Sequence, residues 1–409
     1  MMEDFFKVKS PGEVAALRRE VARVETETVP LEEAWGRVLA EEVVPREDLP
    51  PFARSTMDGF AVQAASTFGA SEGNPAYLEV LGSVAMGEVP DFSVGNGQAA
   101  RISTGGMLPR GADAVVMIEH TAAVDDTMIE VYRSVAPGGH VIRAGEDYAR
   151  GQVALPAGIR LRAQETGLLA ALGCEAVKVY RRPRVAVIST GDEVVPISHR
   201  PGPGQIRDVN SYSLAAMVKG CGGRPKTYGI VADNFDALSD TLTRAVSECD
   251  MVLISGGSSV GVRDFTIEAL SSLPDCRILV HGISISPGKP TILAMAAGKA
   301  LWGLPGHITS AMVVFRVIVQ PFIEQAAGLA RPTAVRRLPA RLTRNLASAQ
   351  GRVDYVRVRL VEKDGLLLAE PLLGKSGLIN TLVRADGLVE IDVNAEGLDR
   401  DSLVMVRPV

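Results

Sequence analysis

The 409-residue sequence has few cysteines, few aromatic residues and no excess of basic residues. Its four cysteines are widely spaced and form no CxxC pair, so we expect neither a disulfide framework nor a zinc knuckle. The formal net charge is -5 and aromatic residues make up 5% of the chain. Because nucleic-acid binders are usually basic and often stack bases on aromatic rings, we expect no nucleic-acid partner. A local pocket for a small anion is compatible with this charge.

Long hydrophobic runs are also missing. The most apolar segment, residues 308–323, is interrupted by Arg316 and Pro321 and is too short to cross a bilayer. The first residues, MMEDFFKVKS, do not have the pattern of a secretory signal. We therefore expect a cytoplasmic protein with no membrane partner. With 46% hydrophobic and 22% charged residues, the chain is typical of globular proteins, and its length predicts two to four domains.

The amino-terminal half contains helical flanks around a β-rich segment. Ser10, Pro11 and Glu13 form a capping box and predict a helix over residues 10–24, and further helices are expected at 31–40 and 163–172. Short apolar runs separated by glycine, proline and asparagine lie between these flanks. We predict a helical linker domain from residues 1–44 plus 151–180, with a β-rich module, residues 45–150, inserted into it.

The carboxyl-terminal half is predicted to be α/β, followed by β structure. Residues 181–330 alternate apolar strands with amphipathic helices, which predicts a three-layer α/β/α domain with a mostly parallel sheet. Residues 331–409 contain short strands, of which RVDYVRVRLVE at 352–362 alternates most clearly. We expect a small β-barrel-like domain there.

A glycine-rich turn follows one buried strand of the α/β domain. In MVLISGGSSVGVRD, residues 251–264, a strand ending at Ser255 leads through Gly256, Gly257 and Gly261 to a helix beginning near Asp264. Glycines allow backbone N–H groups to approach a ligand, and a helix amino terminus attracts anions, so the pattern suits phosphate. A tight connection capped by Asp264 explains the same residues without a ligand.

Other polar residues are predicted to lie at the same edge, because ligands collect where parallel strands end. Asp192, Glu193, Asp233 and Asp264 supply carboxylates for a divalent cation, although acids also favour helix starts. Lys289, in SPGKP, suits an oxyanion, although many such lysines are only solvated. His307, in GLPGH, is expected to pack or to cap a helix rather than to contact a ligand.

The β-rich module has three further motifs whose local patterns do not decide between structure and function. Asp58-Gly59 is typical of a hairpin, Thr104-Gly105-Gly106 is typical of a loop, and Glu146-Asp147 is typical of a turn.

Taken together, seven segments resemble the molybdopterin molybdotransferase family, the MoeA type shared with the carboxyl-terminal part of gephyrin. Their order and spacing carry the resemblance, which spans nearly the whole chain and continues into SGL at 376–378. The segments are SxMDGxA at 55–61, TGGxLPxGADAVV at 104–116, GED at 145–147, STGDE at 189–193, SGGxSxGxxD at 255–264, PGKP at 287–290 and GLPG at 303–306.

The resemblance implies an enzyme that inserts molybdate into adenylylated molybdopterin and releases AMP, with Mg²⁺ as the required cation. It also implies an elongated four-domain homodimer whose active site lies between the α/β domain of one subunit and the β-rich module of the other. Other proteins of cofactor biosynthesis are then expected as partners.

The resemblance also assigns roles to individual residues. The catalytic residues implied are Asp58, Thr104, Asp147 and Asp264. The metal ligands implied are Asp192, Glu193 and Asp264. The substrate-binding residues implied are Ser255, Gly256, Gly257, Gly261, Asp233, Lys289, Ser286, Arg143, Ser376 and Arg352. Arg357 lies on the same alternating run as Arg352, and the sequence does not decide between them.

The chain departs from the family pattern at two positions. Many members have a lysine where this chain has Ser286, and many read LPGNP where it has His307-Ile308. The bound oxyanion is therefore molybdate or tungstate. Two alternatives to insertion are adenylylation of molybdopterin and a non-catalytic scaffold of the gephyrin kind.

Overall fold

The computed structural model describes residues 8–256 and 260–409, without the side chains of residues 260–264. The chain divides into two compact units. The first comprises Met1–Ala40, Ala157–Arg162 and Ala176–Val409, and the second comprises Glu41–Pro156 and Ala163–Glu175. No helix in the described ranges is both long and apolar enough to cross a membrane.

The predicted capping box begins the first helix, α1 (Pro11–Ala16). The Ser10 hydroxyl accepts the Glu13 N–H at 3.3 Å, and the Glu13 carboxylate accepts the Ser10 N–H at 2.8 Å. A 3₁₀ turn, Leu17–Glu20, extends this helix. The strands β1 (Thr26–Pro30) and β2 (Val38–Leu39) follow, separated by a 3₁₀ turn at Leu31–Glu33. The helix predicted over residues 31–40 is therefore wrong.

The second unit is built on a six-stranded sheet and a separate two-stranded pair. Its elements are β3 (Arg54–Ser55), β4 (Gly59–Val62), β5 (Ala76–Ser83), β6 (Gln98–Ile102), β7 (Ala114–Met117), β8 (Thr121–Ala123), β9 (Met128–Val131), β10 (Val141–Ile142) and α2 (Ala163–Ala171). The sheet order is β7-β4-β6-β5-β9-β8, and β3 pairs with β10. Apolar side chains such as Phe60, Leu78 and Val131 form its core.

The next strand, β11 (Ala176–Tyr180), explains the missing helix. It pairs antiparallel with β1 on one side and with β2 on the other. Pairing with a distant strand outweighs the local helical pattern of residues 31–40, because helix propensity is a weak preference that tertiary contacts override. The two flanks predicted to form a helical linker are thus joined by a three-stranded sheet.

The α/β part of the first unit follows, and its sheet order is β15-β12-β16-β20-β19-β17. Its elements are β12 (Arg184–Thr190), β13 (Val194–Val195), β14 (Ile206–Arg207), α3 (Asn210–Gly220), β15 (Arg224–Val231), α4 (Phe235–Glu248), β16 (Met251–Ser255), α5 (Val260–Ser271), β17 (Arg277–His281), β18 (Ile285–Ser286), β19 (Ile292–Ala296), β20 (Lys299–Leu304), α6 (Ile308–Val314), a π-helical segment (Phe315–Val319) and α7 (Gln320–Ala326). The neighbours β15, β12, β16 and β20 are parallel, whereas β19 is antiparallel to both of its neighbours. The sheet is therefore mixed, with one reversed strand.

Alternate residues of β12 enter two different hydrophobic clusters. Val185 and Val187 pack with Leu214 of α3, while Ala186 and Ile188 pack with Leu242 of α4. This period of two shows that apolar residues lie on both faces of the strand, as expected for a buried parallel strand.

The carboxyl-terminal strands close into a small barrel, as predicted. They are β21 (Leu338–Leu342), β22 (Leu346–Ala347), β23 (Val353–Lys363), β24 (Leu366–Pro371), β25 (Gly387–Ile391), β26 (Gly397–Leu398) and β27 (Leu403–Pro408), with the short helix α8 (Asn380–Val383) before β25. Their sheet has the order β18-β23-β24-β21-β27-β25, and β23 also pairs with β25, which closes it. Because β18 comes from the α/β part, the residues that follow it are held beside β23.

Candidate active site

Three loops of the α/β part leave the sheet at the same level. Ser189 of β12 is the register partner of Ser255 in β16, and Ser255 is the partner of Leu304 in β20. The loops that begin after these strands contain the motifs STGDE, SGG and LPGH. The structure therefore brings together three of the sequence-predicted segments at one edge of the sheet.

Gly256 is required by its position against β12. Its φ is +151°, and a Cβ there would lie 2.1 Å from the Thr190 Oγ1 and 2.3 Å from the Thr190 carbonyl oxygen. No side chain fits such a distance, so the glycine is fixed by close approach of two backbones. Gly257 lies outside the described residues. Gly261 and Asp264 lie in α5, where the structure describes only their backbone.

A cavity of about 550 Å³ opens at this edge, and we call it the strand-edge cavity. Its walls include Glu193, Asp208, Asn210, Ser255 and Gly256. Backbone and hydroxyl groups at Ser255 and Gly256 face a space that also has a carboxylate, which is the mixture expected where a phosphate and a cation bind together.

Asp208 and Asn210 are two residues of this cavity that the sequence interpretation missed. The Asn210 Nδ2 donates to the Ser255 Oγ at 2.6 Å and to the Gly306 carbonyl at 2.8 Å, so it ties two rim loops to the start of α3. The buried Asp208 carboxylate accepts from the Ser189 hydroxyl at 2.9 Å and from the Ser211 N–H at 3.0 Å. An Asp-x-Asn pattern directly before a predicted helix was the available signal.

Carboxylates lie close together at the outer part of the rim. The Asp192 Oδ1 accepts the Asp233 N–H at 3.1 Å. The pKa of Asp233 is raised, first by burial and then by the charges of Asp192 and Glu193. The buried Oδ1 of Asp233 also lacks a hydrogen bond of normal geometry. A positive charge placed here would lower the repulsion among these acids.

The described acids at this rim do not form a complete protein cage for a metal ion. Within the described residues, no group of three or more His, Cys, Asp or Glu side chains has the arrangement of a metal site. Mg²⁺ commonly uses only one or two carboxylates and takes its other oxygens from phosphate and water. Asp192 and Glu193 are sufficient for that number of ligands.

A second cavity, of about 780 Å³, lies between the α/β part and the small barrel, and we call it the barrel-side cavity. The pairing of Ser286 with Asp354 sets its walls, because it holds the PGKP turn beside β23. Four of the predicted binding residues line it together with the alternative arginine: Ser286, Lys289, Arg352, Ser376 and Arg357. The Lys289 side chain is exposed, while its backbone carbonyl accepts the N–H groups of Ile283 and Thr291, each at 2.9 Å. The cavity therefore carries a positive charge on a fixed turn.

Arg352 and Arg357 line this cavity in different states. The Arg352 Nε forms an ion pair with the Asp354 Oδ1 at 2.9 Å. Arg357 is 8% exposed, its Nη2 donates to the Gly374 carbonyl at 2.9 Å, and its buried Nε has no hydrogen-bond partner among the described residues. No carboxylate among the described side chains forms an ion pair with Arg357. Burial lowers the pKa of Arg357, as expected for a cation without a counter-charge.

His307 lines both cavities, and it alone does so among the residues that the structure describes. Its Nδ1 lies 3.0 Å from the Ser376 Oγ, and the Ser376 carbonyl accepts the Thr309 N–H at 3.2 Å. His307 occupies the N-cap position of α6, as one reading of the sequence expected, but its exposed side chain makes no capping hydrogen bond to that helix.

The second unit contains a separate carboxylate site. The Asp58 Oδ1 accepts from the Thr104 N–H at 2.7 Å and from the Thr104 hydroxyl at 3.0 Å. These two donors lower the pKa of Asp58, with the backbone donor contributing most. Asp58 is therefore an oriented, ionised side chain on the surface of this unit.

The other two predicted residues of this unit, Arg143 and Asp147, follow β10. The Asp147 N–H donates to the Leu49 carbonyl at 3.1 Å, and the Arg143 N–H donates to the Glu146 carboxylate at 2.8 Å. The predicted turn is present, and no hydrogen bond in the described part of the unit joins Asp147 to Asp58.

The α/β part and the small barrel thus carry two cavities, one with carboxylates beside a glycine turn and one with cationic side chains, which together suit an anionic ligand. Three family models match the chain: the MoeA N-terminal region (domain I and II) over residues 10–173, the "probable molybdopterin binding domain" over residues 186–325, and the MoeA C-terminal region (domain IV) over residues 339–409. The chain belongs to the MoeA family.

Individual relatives cover nearly the whole chain. A molybdopterin molybdenumtransferase of Nostoc sp. is 37% identical over 94% of this chain and 89% of its own length. The molybdopterin molybdenumtransferase of Bacillus subtilis is 33% identical over 93% of this chain and 89% of its own length. A crystal structure of the molybdopterin biosynthesis MoeA protein from Pyrococcus horikoshii has 32% identity and a TM-score of 0.85, covering 98% of this chain and 100% of that one.

Proposed function

We propose that this chain is a molybdopterin molybdenumtransferase of molybdenum cofactor biosynthesis, which inserts molybdate into adenylylated molybdopterin and releases AMP. The observation that carries the proposal is the pair of cavities that His307 lines, one beside a glycine turn with carboxylates and the other with a lysine and two arginines. The names of the Nostoc and B. subtilis relatives support the same reaction.

The strand-edge cavity is proposed to hold the phosphates that link the nucleotide to the pterin. Ser255 and the backbone at Gly256 and Gly257 bind the phosphate oxygens, with Gly261 at the start of α5 beside them. Asp192 and Glu193, together with Asp264, hold Mg²⁺, and Asp233 lies next to them at the nucleotide. When bound, this ion offsets negative charge on the phosphate that is cleaved.

The barrel-side cavity is proposed to hold the oxyanion. Lys289 supplies an exposed charge, and Arg357 supplies buried donors that no carboxylate among the described side chains uses. Ser286 and Ser376 add hydroxyl donors. Arg352 contacts Asp354 and therefore keeps the cavity wall in place more than it binds the anion. Molybdate is the proposed anion, with tungstate as the competitor of similar shape and charge.

The remaining residues are proposed to act between subunits of a cytoplasmic homodimer. Asp58, Thr104, Asp147 and Arg143 lie in the second unit and would complete the site of the other subunit. The ionised Asp58 orients or accepts a proton from the attacking group, which is water or a molybdate oxygen. A three-layer arrangement of the α/β part, supported by its two buried clusters, places these strand ends at one open edge.

Release of AMP tests the proposal. Protein loaded with adenylylated molybdopterin is mixed with molybdate and Mg²⁺, and AMP is measured by chromatography, with a reaction without molybdate as the control. We expect AMP only when molybdate is present. Equal AMP with and without molybdate would refute insertion. Formation of adenylylated molybdopterin from ATP and molybdopterin would assign the preceding reaction instead.

A further inference from the structure

His307 has an orientation that is compatible with both of its protonation states. The Ser376 hydroxyl lies 3.0 Å from Nδ1, and a hydroxyl can donate to a neutral ring nitrogen or accept from a protonated one. The ring is therefore held by the same neighbour whether it is neutral or charged. The other nitrogen, Nε2, has no hydrogen bond to any described residue, and the exposed His307 side chain lines both cavities.

In the described part of the chain, no carboxylate is hydrogen-bonded to the His307 ring. The barrel-side cavity presents Lys289, Arg352, Asp354 and Arg357, the strand-edge cavity presents Glu193, Arg207 and Asp208, and Lys375 precedes Ser376 in the neighbouring loop. Asp354 is paired with Arg352, and Asp208 is held by Ser189 and Ser211. A protonated His307 therefore has no carboxylate partner among the described residues, and an anion bound in the barrel-side cavity would supply the opposite charge.

Resting on the proposed function, we propose that His307 is a specificity-determining residue that donates from Nε2 to the oxyanion and makes oxyanion binding tighter in acid than at neutral pH. Histidine is the side chain whose charge ordinarily changes between about pH 5 and 8. Below that change the imidazolium adds a charge-assisted hydrogen bond to the anion, and above it only a neutral donor remains. Because His307 also lines the strand-edge cavity, the same ring lies beside the phosphates of a substrate that spans both sites.

Titration calorimetry with molybdate on the full-length protein tests this inference. We expect molybdate to bind the wild-type protein roughly tenfold more tightly at pH 6 than at pH 8, since one charge-assisted hydrogen bond is gained. In His307→Asn, which keeps a neutral donor, the ratio of the two dissociation constants should fall to about one. Because the same anion is titrated into every variant, protonation of the anion itself cancels in the comparison.

Two variants serve as controls. His199 contacts the Ser198 Oγ through Nδ1 at 3.4 Å and lines neither cavity, so His199→Asn should keep the tenfold ratio. Ser376→Ala keeps the imidazole but removes its anchor, and we expect a smaller ratio than in the wild type. A ratio near ten in His307→Asn, or a wild-type ratio near one, would overturn the inference.

Lys289→Met separates this inference from the proposed function. If the wild type binds molybdate and Lys289→Met does not, the oxyanion site stands whatever His307 does. If Lys289→Met binds as tightly as the wild type, the barrel-side cavity is not the oxyanion site, and both the proposed site and the role of His307 are refuted.

Discussion

Replacing Arg357 with methionine should weaken molybdate binding and leave stability nearly unchanged. Replacing Arg352 with methionine should lower stability and leave binding nearly unchanged. Arg357 is buried with an unpartnered Nε, which costs about 1 to 3 kcal/mol in the folded state. Arg357→Met removes that cost and also removes the hydrogen bond to the Gly374 carbonyl, worth about 1.5 to 3 kcal/mol. The two terms nearly cancel, so the free energy of unfolding should change by no more than about 1 kcal/mol.

The Arg352→Met variant should lose stability but keep most of its oxyanion affinity. Asp354 is 7% exposed, and Arg352→Met leaves it with the Ser348 hydroxyl as its remaining side-chain donor. A buried acceptor that loses a partner costs about 1 to 3 kcal/mol, so this variant should be the less stable one. Its effect on oxyanion affinity should be small, because its charge is already paired with Asp354.

Two measurements decide between the arginines. Urea midpoints are followed through the fluorescence of the buried Trp302, and molybdate affinity is measured by calorimetry. Arg357→Met should keep the wild-type midpoint and lose roughly tenfold to a hundredfold in affinity, equal to about 1.5 to 3 kcal/mol. A stable Arg352→Met protein that fails to bind molybdate, together with an Arg357→Met protein that binds it normally, would show that Arg352 and not Arg357 binds the oxyanion.

Three other changes have defined outcomes. Gly256→Ala forces a Cβ to within 2.1 Å of the Thr190 Oγ1, and thermal unfolding should show a loss of about 2 to 4 kcal/mol; an unchanged Tm would contradict the close approach. Ser286→Lys adds a cation to the barrel-side cavity and should tighten molybdate binding, whereas no gain in calorimetry would count against placing Ser286 at the oxyanion. The carboxyl pKa of Asp58 should lie below its ordinary value in an NMR titration and rise in Thr104→Ala, which loses the hydroxyl donor. Because folding lowers the pKa of Asp58, the Asp58–Thr104 contact stabilises the protein above the ordinary carboxyl pKa, and this stabilisation is lost as the pH falls through the lowered pKa. An Asp58 pKa that is the same in Thr104→Ala as in the wild type would argue against a contribution from the hydroxyl.

The βα alternation of the sequence predicted most elements of the α/β part because each apolar run there is also a buried strand. MVLIS and FDALSDTLTRAVSE coincide with β16 and α4. The pattern did not predict the β19–β20 hairpin, in which Ala297 and Gly298 both have positive φ, at +50° and +71°. Such turns usually contain Asn-Gly or Asp-Gly, and the Ala-Gly pair here gives no such signal.

The apolar segment 308–323 is helical in the structure, but its hydrogen bonding changes along its length. The helix widens to a π-helical segment at Phe315–Val319. Pro321 explains this change, because it cannot donate to the preceding turn and its ring would clash with a carbonyl there.

The site was harder to predict than the fold, because its residues meet through strand pairing that local patterns do not contain. Asp58-Gly59 is typical of a hairpin, yet the Asp58 carboxylate binds Thr104 from a loop 46 residues away. The choice between Arg352 and Arg357 depended on Asp354, whose position follows from the pairing of β18 with β23. His307 was assigned to capping or packing because the sequence does not show that two cavities meet at its ring.

Anomalous diffraction from crystals of the protein with molybdate and AMP would show whether the two cavities hold the two anionic parts of one reaction. We predict a molybdenum peak in the barrel-side cavity, within hydrogen-bond distance of Lys289 and Arg357, and the AMP phosphate beside Ser255 and Gly256. A molybdenum peak in the strand-edge cavity, or AMP bound away from the SGG turn, would show that the two cavities do not have these roles.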